Sequence, residues 1–371
     1  MIVYWLIFAI FAAGAISYAS TVSRMGMLPV SGPMAAAISR RSVVLTVMGI
    51  ALVVLIGLRY RVGGDWSNYL DIFRRLAPQE LGAALAGSRQ EPAYTFVNWL
   101  AARLGAGIWL VNLICAVPFT YGLLRLCRQQ PNPWLAMLVA TPFLIIVVGM
   151  GFTRQAAALG CLMVGISKII DRRSPVEFVL WTLGGALFHQ TVLVFIPVMF
   201  VTGVKNRFLS YLLLLASLAV GYYAVLPSAL DQYGPGYLRE QYNAAGANVR
   251  VLMDVVPAAI VLLSKGRFYW SAEEKAVWRT YAALCLLAGA ALPFIHSSVV
   301  VDRLAMYLIP MQIFVYSRIG YCFGLIRRGW LAWTTAVIVY SAAVLFVWLN
   351  YAVNAWAWVP YQNYLSTPDR Y

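Results

Sequence analysis

Arginine, carboxylate and imidazole side chains recur in this chain where apolar segments end. The densest group begins the stretch 59–69, where Arg59, Arg61 and Asp65 fall within seven residues beside a pair of glycines. Guanidinium groups bind phosphate in a bidentate way, and a carboxylate or an imidazole can take a proton from a hydroxyl group. These residue types predict a site that binds an anion, above all a diphosphate, and deprotonates an alcohol.

Similar residues occur at three later positions. Arg154 and Gln155 follow a short turn with two glycines, His189 lies in an apolar stretch, and Arg303 precedes an apolar span. We expect Arg154 and Arg303 to lie at helix starts, where free N–H groups and the positive end of the helix dipole favour bound anions.

Two residues are candidates for a general base. His189 has an imidazole, whose ordinary pKa is about 6.5, and Asp65 could serve if its pKa were raised. Each also has a structural interpretation, His189 as a hydrogen-bonded core residue and Asp65 as the partner of an arginine or of a sugar hydroxyl. The sequence favours His189 slightly over Asp65, and Arg59 could also simply extend its charged head from a helix end to water.

The elements that must position these residues are membrane helices. The chain has 371 residues, of which 62% are hydrophobic and 11% charged, with a mean hydropathy of +0.76. Apolar runs of about 16 to 22 residues suit transmembrane helices, so we predict an all-α, polytopic integral membrane protein with one transmembrane domain over 1–371. The net charge of +15 fits the basic bias of cytoplasmic loops, so no nucleic-acid partner is expected. The five cysteines show no metal-binding or disulfide spacing.

About ten crossings are predicted. They fall at about 2–20, 42–58, 107–126, 133–151, 155–170, 208–226, 250–264, 278–296, 303–321 and 330–350. Placing the basic intervals in the cytoplasm puts both termini outside and makes 59–91 and 227–249 the larger outer loops. Only four acids accompany the basic residues of the inner side, and these are Asp171, Glu177, Glu273 and Glu274.

Segment 176–203 has basic residues on both sides, so it must cross the membrane an even number of times. Its 28 residues would measure about 42 Å as one helix, too short for two crossings of a core about 30 Å thick. We therefore predict a re-entrant hairpin that enters from the cytoplasm and turns near Gly184–Thr191, with His189 at its tip.

Several short motifs, taken in order, resemble the EpsG family. They are Arg59 to Asp65 and Tyr69, Glu91-Pro-Ala-Tyr94, Phe152-Thr-Arg154-Gln155, Phe188-His189-Gln-Thr191, Asp302-Arg303 with Tyr307, and Pro360-Tyr361. This family is similar in role to the Wzy polymerases of exopolysaccharide and O-antigen synthesis. The resemblance implies a glycosyltransferase of the integral-membrane type, with no metal and no cofactor, in the bacterial inner membrane. Its active site would face the periplasm and join oligosaccharide repeat units carried on undecaprenyl diphosphate.

Such an enzyme needs the charge of its leaving diphosphate stabilised, and its candidate ligands are Arg59, Arg61, Arg154 and Arg303. The other predicted substrate-binding residues are Gln155, Tyr69, Glu91 and Tyr94. Its partners would be the lipid-linked donor and acceptor and membrane lipid, and the resemblance also allows a chain-length regulator and export proteins.

Two other functions handle related substrates. A flippase or transporter for lipid-linked oligosaccharides would bind the same anion, but it should carry ionisable groups at the bilayer midplane and paired halves. A membrane O-acyltransferase of exopolysaccharide would also use a histidine, but it would reach its acyl donor from the cytoplasm. The placement of the polar residues at the outer ends favours the polymerase.

Overall fold

The computed structural model describes residues 1–24, 43–196, 246–264, 270–294, 298–322 and 327–366, with single positions at 208, 212, 215, 219 and 268. Within these ranges the regular elements are helices, without a strand. The helices before the turn at residue 173 are α1 (Ile2–Arg24), α2 (Val43–Gly57), α3 (Trp66–Leu76), α4 (Leu81–Gly87), α5 (Pro92–Arg103), α6 (Ile108–Cys127), α7 (Pro133–Gly151) and α8 (Thr153–Arg172). The later helices are α9 (Pro175–Ala186), α10 (Ala247–Leu263), α11 (Ala272–Ala291), α12 (Ser298–Ala305), α13 (Pro310–Cys322) and α14 (Arg327–Tyr351).

Four of the described helices contain a stretch long and apolar enough to cross a membrane. These stretches are Ile2–Thr21, Ile108–Cys127, Pro133–Gly151 and Gly329–Tyr351, and α2 is a shorter apolar helix. The expected all-helical, multi-pass membrane architecture is confirmed at this level. The count of about ten crossings stays a prediction, and most of the span 208–226 and of the loop 227–249 lies outside the described residues.

Helix α8 lies at the centre of the bundle and packs closely against α6. A methyl group added at Gly122 would come within 2.0 Å of the Gly160 carbonyl oxygen, and one at Gly160 within 2.2 Å of the Pro118 carbonyl oxygen. Small residues let two backbones approach in this way, which is how helices gain packing contact in lipid. The 20 residues of α8 span about 30 Å, the thickness of a bilayer core.

The C-terminal end of α8 belongs to an ionic cluster. Each of the four acids in the basic intervals pairs with a cation: Asp171 with Arg125 at 3.1 Å, Glu177 with Lys168, Glu273 with Arg173 at 2.8 Å, and Glu274 with Arg318 at 2.6 Å. These contacts bring the predicted inner intervals together at one end of the bundle. That this end faces the cytoplasm stays a prediction.

Segment 176–203 begins as a helix and turns later than expected. Helix α9 continues through Gly184 and Gly185, the turn falls at 187–189, and a short 3₁₀ helix, Gln190–Val194, follows. The rest of the segment lies outside the described residues, so the re-entrant hairpin stays a prediction.

The C-terminal segment 355–364 returns to the outer end and holds the beginning of the loop 59–91. The Gly63 amide donates to the Ala357 carbonyl at 2.8 Å, and the Tyr60 amide donates to the Gln362 carbonyl at 2.9 Å. Gly63 has φ 108°, and a methyl group there would lie 2.4 Å from the Met150 carbonyl oxygen. Glycine is therefore required where the backbone at residue 63 passes close to that of Met150. The backbone just before Asp65 is therefore held by the C-terminal segment and by the end of α7.

Candidate functional site

A cleft of about 650 Å³ opens between α3, the turn after α4 and the first turn of α8. Six of the predicted site residues line it: Asp65, Tyr69, Arg154, Gln155, His189 and Arg303. They come from four separate parts of the sequence, which the helix packing brings together at the N-terminal end of α8.

Helix α3 forms one wall because it is amphipathic. Its buried residues Tyr69, Ile72 and Leu76 are spaced three and four apart, and they pack with apolar side chains of α5 in a small core. Polar residues on the adjacent strip of the helix are then left facing the cleft. The loop predicted over 59–91 thus contains two short helices, whose apolar residues share a core with α5, α6 and α8.

His189 is held by Glu91, which precedes the first residue of α5. The Nδ1 atom of His189 lies 2.9 Å from Glu91 Oε1. The hydrogen bond with His189 and the charge of Arg154 outweigh burial and hold the pKa of Glu91 at about 2. An ionised carboxylate can only accept, so Nδ1 carries the proton and Nε2 keeps the lone pair that a general base needs.

Arg154, the second residue of α8, is held by the same carboxylate. Its Nη1 atom donates to Glu91 Oε2 at 2.9 Å and to Gln90 Oε1 at 2.5 Å, and its guanidinium carbon lies 5.7 Å from the centre of the Tyr94 ring. Its buried Nε has no acceptor among the described residues. One donor of the Arg154 guanidinium is thus not used by the described residues, and its predicted place at a helix start is confirmed.

Asp65 and Arg303 complete the inner part of the cleft. Burial raises the pKa of Asp65, and the charges of Arg303 and Arg154 oppose that rise, so both guanidinium groups act on this carboxylate. The backbone carbonyl of Arg303 accepts a hydrogen bond from Gln155 Nε2 at 2.6 Å.

The expectation that Arg303 begins a helix is wrong. Helix α12 starts at Ser298, and Arg303 lies in its last turn, because the sequence 298–303 contains no glycine or proline to delay the helix. The helix dipole there does not favour an anion, so only the guanidinium charge can do so.

Glu91 and Tyr94, predicted as substrate ligands, lie behind the cleft wall. The side chain of Glu91 is 10% exposed and contacts His189 and Arg154, and Tyr94 is buried below Arg154. In this position they hold other site residues.

Arg59 and Arg61 lie outside the cleft. Arg59 is 1% exposed and donates to the carbonyls of Ile56 and Val62 and to the side chains of Asn112 and Thr153. Arg61 is exposed, has φ 50°, and lies over the Tyr60 ring. The contacts of Arg59 stabilise the junction of three helices, and its placement gives no direct support to a role in substrate binding.

The outer part of the cleft was not predicted as a site. Its polar residues include Asn68, Asp71, Arg75, Gln79 and Arg89. The apolar spacing of α3 was the available signal, because it defines which polar positions border the buried face.

The arrangement combines cations for an anionic leaving group with two side chains that can take a proton. Within the described ranges, no group of three or more His, Cys, Asp or Glu side chains is placed to hold a metal ion. The chemistry that these residues can perform on their own is proton transfer from a hydroxyl group together with stabilisation of a phosphate.

Comparison with protein-family models gives a match to the EpsG family over residues 42–363. This range contains the whole cleft and most of the chain. No curated protein and no solved structure matches the chain.

Proposed function

The chain belongs to the EpsG family, and on that premise we propose that it is a polysaccharide polymerase that joins oligosaccharide repeat units carried on undecaprenyl diphosphate. Membership supports a Wzy-like polymerase, a glycosyltransferase of the membrane type, at the level of the family. The finer parts of the proposal are the lipid carrier, the bacterial inner membrane, the periplasmic side and the roles of individual residues.

The observation that carries the proposal is that Glu91 holds both Arg154 and His189 beside one cleft. Glycosyl transfer from a lipid diphosphate needs a base for the acceptor hydroxyl and a cation for the leaving group, at a fixed separation. One buried carboxylate with two oxygens provides that separation.

In the proposed reaction the acceptor hydroxyl gives its proton to His189 Nε2 while its oxygen attacks the anomeric carbon of the donor. The bond between that carbon and the diphosphate oxygen breaks, and the electron pair leaves with the diphosphate. Arg154 and Arg303 stabilise the charge that develops there, without a metal ion. Glu91 stabilises the imidazolium that forms and holds the ring in the required tautomer.

Asp65 is the second candidate for the base. Its raised pKa suits proton transfer as well, and it is subject to both arginine charges. In the alternative role it orients Arg303 or a sugar hydroxyl, and Tyr69 and Gln155 complete the wall around the reacting sugars.

The partners in this proposal are the lipid-linked donor and acceptor, with the lipid tails entering between helices from the membrane. A chain-length regulator and export proteins would act on the growing polymer.

The test is the lipid-linked material that accumulates when the gene is deleted. We expect single repeat units on the lipid carrier, facing the periplasm, and no long polymer. Single units confined to the cytoplasmic side would point to a flippase. Long polymer lacking acyl groups would point to an acyltransferase.

The orientation has a separate test, which the structure simplifies because all five native cysteines are buried. A cysteine at exposed Ser67 should react with an impermeant reagent from outside, whereas cysteines at Arg172 and Asn206 should not. Outside labelling at position 172 would reverse the orientation, and outside labelling at position 206 would rule out the hairpin.

A further inference from the structure

The cleft extends well beyond the residues that the proposed reaction uses. Asn68, Asp71, Arg75 and Gln79 line it at spacings of three and four residues along α3 and just past its end. From Asp65 to Arg75 the helix advances ten residues, about 15 Å. A diphosphate and one reacting sugar bond at the Asp65 end leave most of this length unoccupied.

The side chains along this outer part suit a glycan. The amides of Asn68 and Gln79 can donate to and accept from sugar hydroxyls, and the carboxylate of Asp71 can accept from them. Asp71, Arg75 and Arg89 are exposed, so this part of the cleft lies in water and not in hydrocarbon.

The same part of the cleft has a charge preference. The cleft wall as a whole contains four arginines and two aspartates, which are Arg75, Arg89, Arg154, Arg303, Asp65 and Asp71. Arg154 and Arg303 are partly buried, whereas Arg75 and Arg89 are exposed, one on α3 and one on the turn after α4. Asp71 offsets one of these two charges, so the outer part keeps one net positive charge, which favours a carboxylate over a neutral sugar.

We propose that the outer part of the cleft binds the glycan next to the reacting sugar and prefers a repeat unit that carries an acidic sugar. This inference rests on the proposed function, since it assigns the substrate class of the same site. The anionic group could also be the diphosphate of the second lipid carrier. An acidic sugar fits better because Arg75 lies about 15 Å along the helix from Asp65 and is exposed, and an exposed guanidinium is costly in hydrocarbon.

The test uses the purified full-length protein and two probes, a short oligogalacturonate and inorganic diphosphate, with a neutral malto-oligosaccharide of equal length for comparison. The informative variant is Arg75→Gln, and Arg74→Gln is the control, because Arg74 is on the same helix, is 69% exposed and does not line the cleft. Its ion pair with Asp71, at 3.9 Å, is exposed and therefore weak. We expect Arg75→Gln to weaken oligogalacturonate binding about tenfold, the loss of one charge-assisted hydrogen bond. Arg74→Gln should leave that binding unchanged, and neither variant should alter diphosphate binding.

Three results would overturn the inference. They are equal binding of the acidic and neutral oligosaccharides, equal losses in the two variants, and a loss in Arg75→Gln confined to diphosphate. Sugar analysis of the polymer made by the cells gives an independent result, since a wholly neutral repeat unit would also contradict it. The proposed catalysis and the proposed sugar preference fail in different experiments. A His189→Gln protein that still makes polymer would contradict the catalytic role of His189 but would not change the oligogalacturonate and diphosphate binding results.

Discussion

Glu91 and His189 are 98 residues apart in the sequence, and Glu91 Oε1 lies 2.9 Å from His189 Nδ1. The other oxygen of the same carboxylate lies 2.9 Å from Arg154 Nη1. A single side chain therefore orients an imidazole and a guanidinium together. Glu91 reaches both because it stands at the start of α5, whose apolar face is packed against α3. We infer that Glu91 is a positioning residue of the proposed site.

Replacing Glu91 by Gln should slow chain growth by about 10- to 100-fold, the range typical for a residue that orients a functional imidazole without reacting itself. Glutamine keeps the size of the side chain, but its amide cannot fix the tautomer of His189 or neutralise Arg154. The rate should be measured on purified lipid-linked repeat units across a range of pH. Without the negative charge of Glu91, protonated His189 is less stable. The acidic limb of the pH–rate profile should therefore move to lower pH. A lower protein level with an unchanged pH profile would instead indicate a purely structural role.

Glu91 should also make stability depend on pH. Its pKa is about 2 in the folded protein and about 4.3 in an unfolded chain. A carboxylate with a lowered pKa stabilises the folded state at pH values above 4.3, and this contribution is lost as the pH falls toward 2. The difference in unfolding temperature between the wild type and Glu91→Gln should therefore be largest near neutral pH and shrink below about pH 4. A difference that stays constant down to pH 3 would show that the ionised carboxylate is not what stabilises the fold.

His189→Gln separates a base from a structural residue. Glutamine keeps one hydrogen bond to Glu91, so a structural role should largely survive the change. If His189 is the base, cells should accumulate single lipid-linked repeat units, with a rate loss of about 10²- to 10⁴-fold and a protein that stays folded in detergent. Asp65→Asn is the paired variant, and a larger defect there would assign the base to Asp65. Normal polymer from His189→Gln would remove His189 from the chemistry.

The sequence predicts which residues gather at the cleft better than it predicts what each of them does. Asp65, Arg154, His189 and Arg303 could be grouped because ionisable residues at membrane helix ends are costly unless they share water or partners. The burial of Arg59 was not predicted, because its side-chain acceptors Asn112 and Thr153 lie 53 and 94 residues away and only the fold brings them to it.

The helices show the same limit. The spans that became α1, α6 and α7 follow directly from apolar length, whereas 59–91 was expected to be a loop and forms two short helices. Its amphipathic pattern is visible in the sequence, but the partner that makes it stable, α5, is identified only by the packing. The start of α12 was misplaced because the charge of Arg303 suggested a helix boundary. The helix begins at Ser298, since no glycine or proline lies between Ser298 and Arg303.

Arg59 is buried and Arg61 is exposed, so replacing each by Gln compares the stability contributed by a buried arginine with that contributed by an exposed one. Arg59→Gln removes a buried guanidinium that donates to two carbonyls and to the side chains of Asn112 and Thr153. Leaving buried acceptors without donors should lower the free energy of unfolding by at least about 3 kcal/mol. Arg61→Gln removes an exposed side chain whose guanidinium lies over the Tyr60 ring, so its effect on the free energy of unfolding should stay within about 1 kcal/mol.

Both variants should be compared by thermal unfolding in detergent and by the amount of protein in the membrane. The residual activity per folded molecule of Arg59→Gln is the deciding measurement. If Arg59 acts through the fold, activity per folded molecule should stay near the wild-type value because the cleft residues are unchanged, and total activity should recover when the protein is expressed at low temperature. A fully folded Arg59→Gln protein without activity would mean that Arg59 reaches the substrate after all, and the outer end of the bundle would then have to open during the reaction.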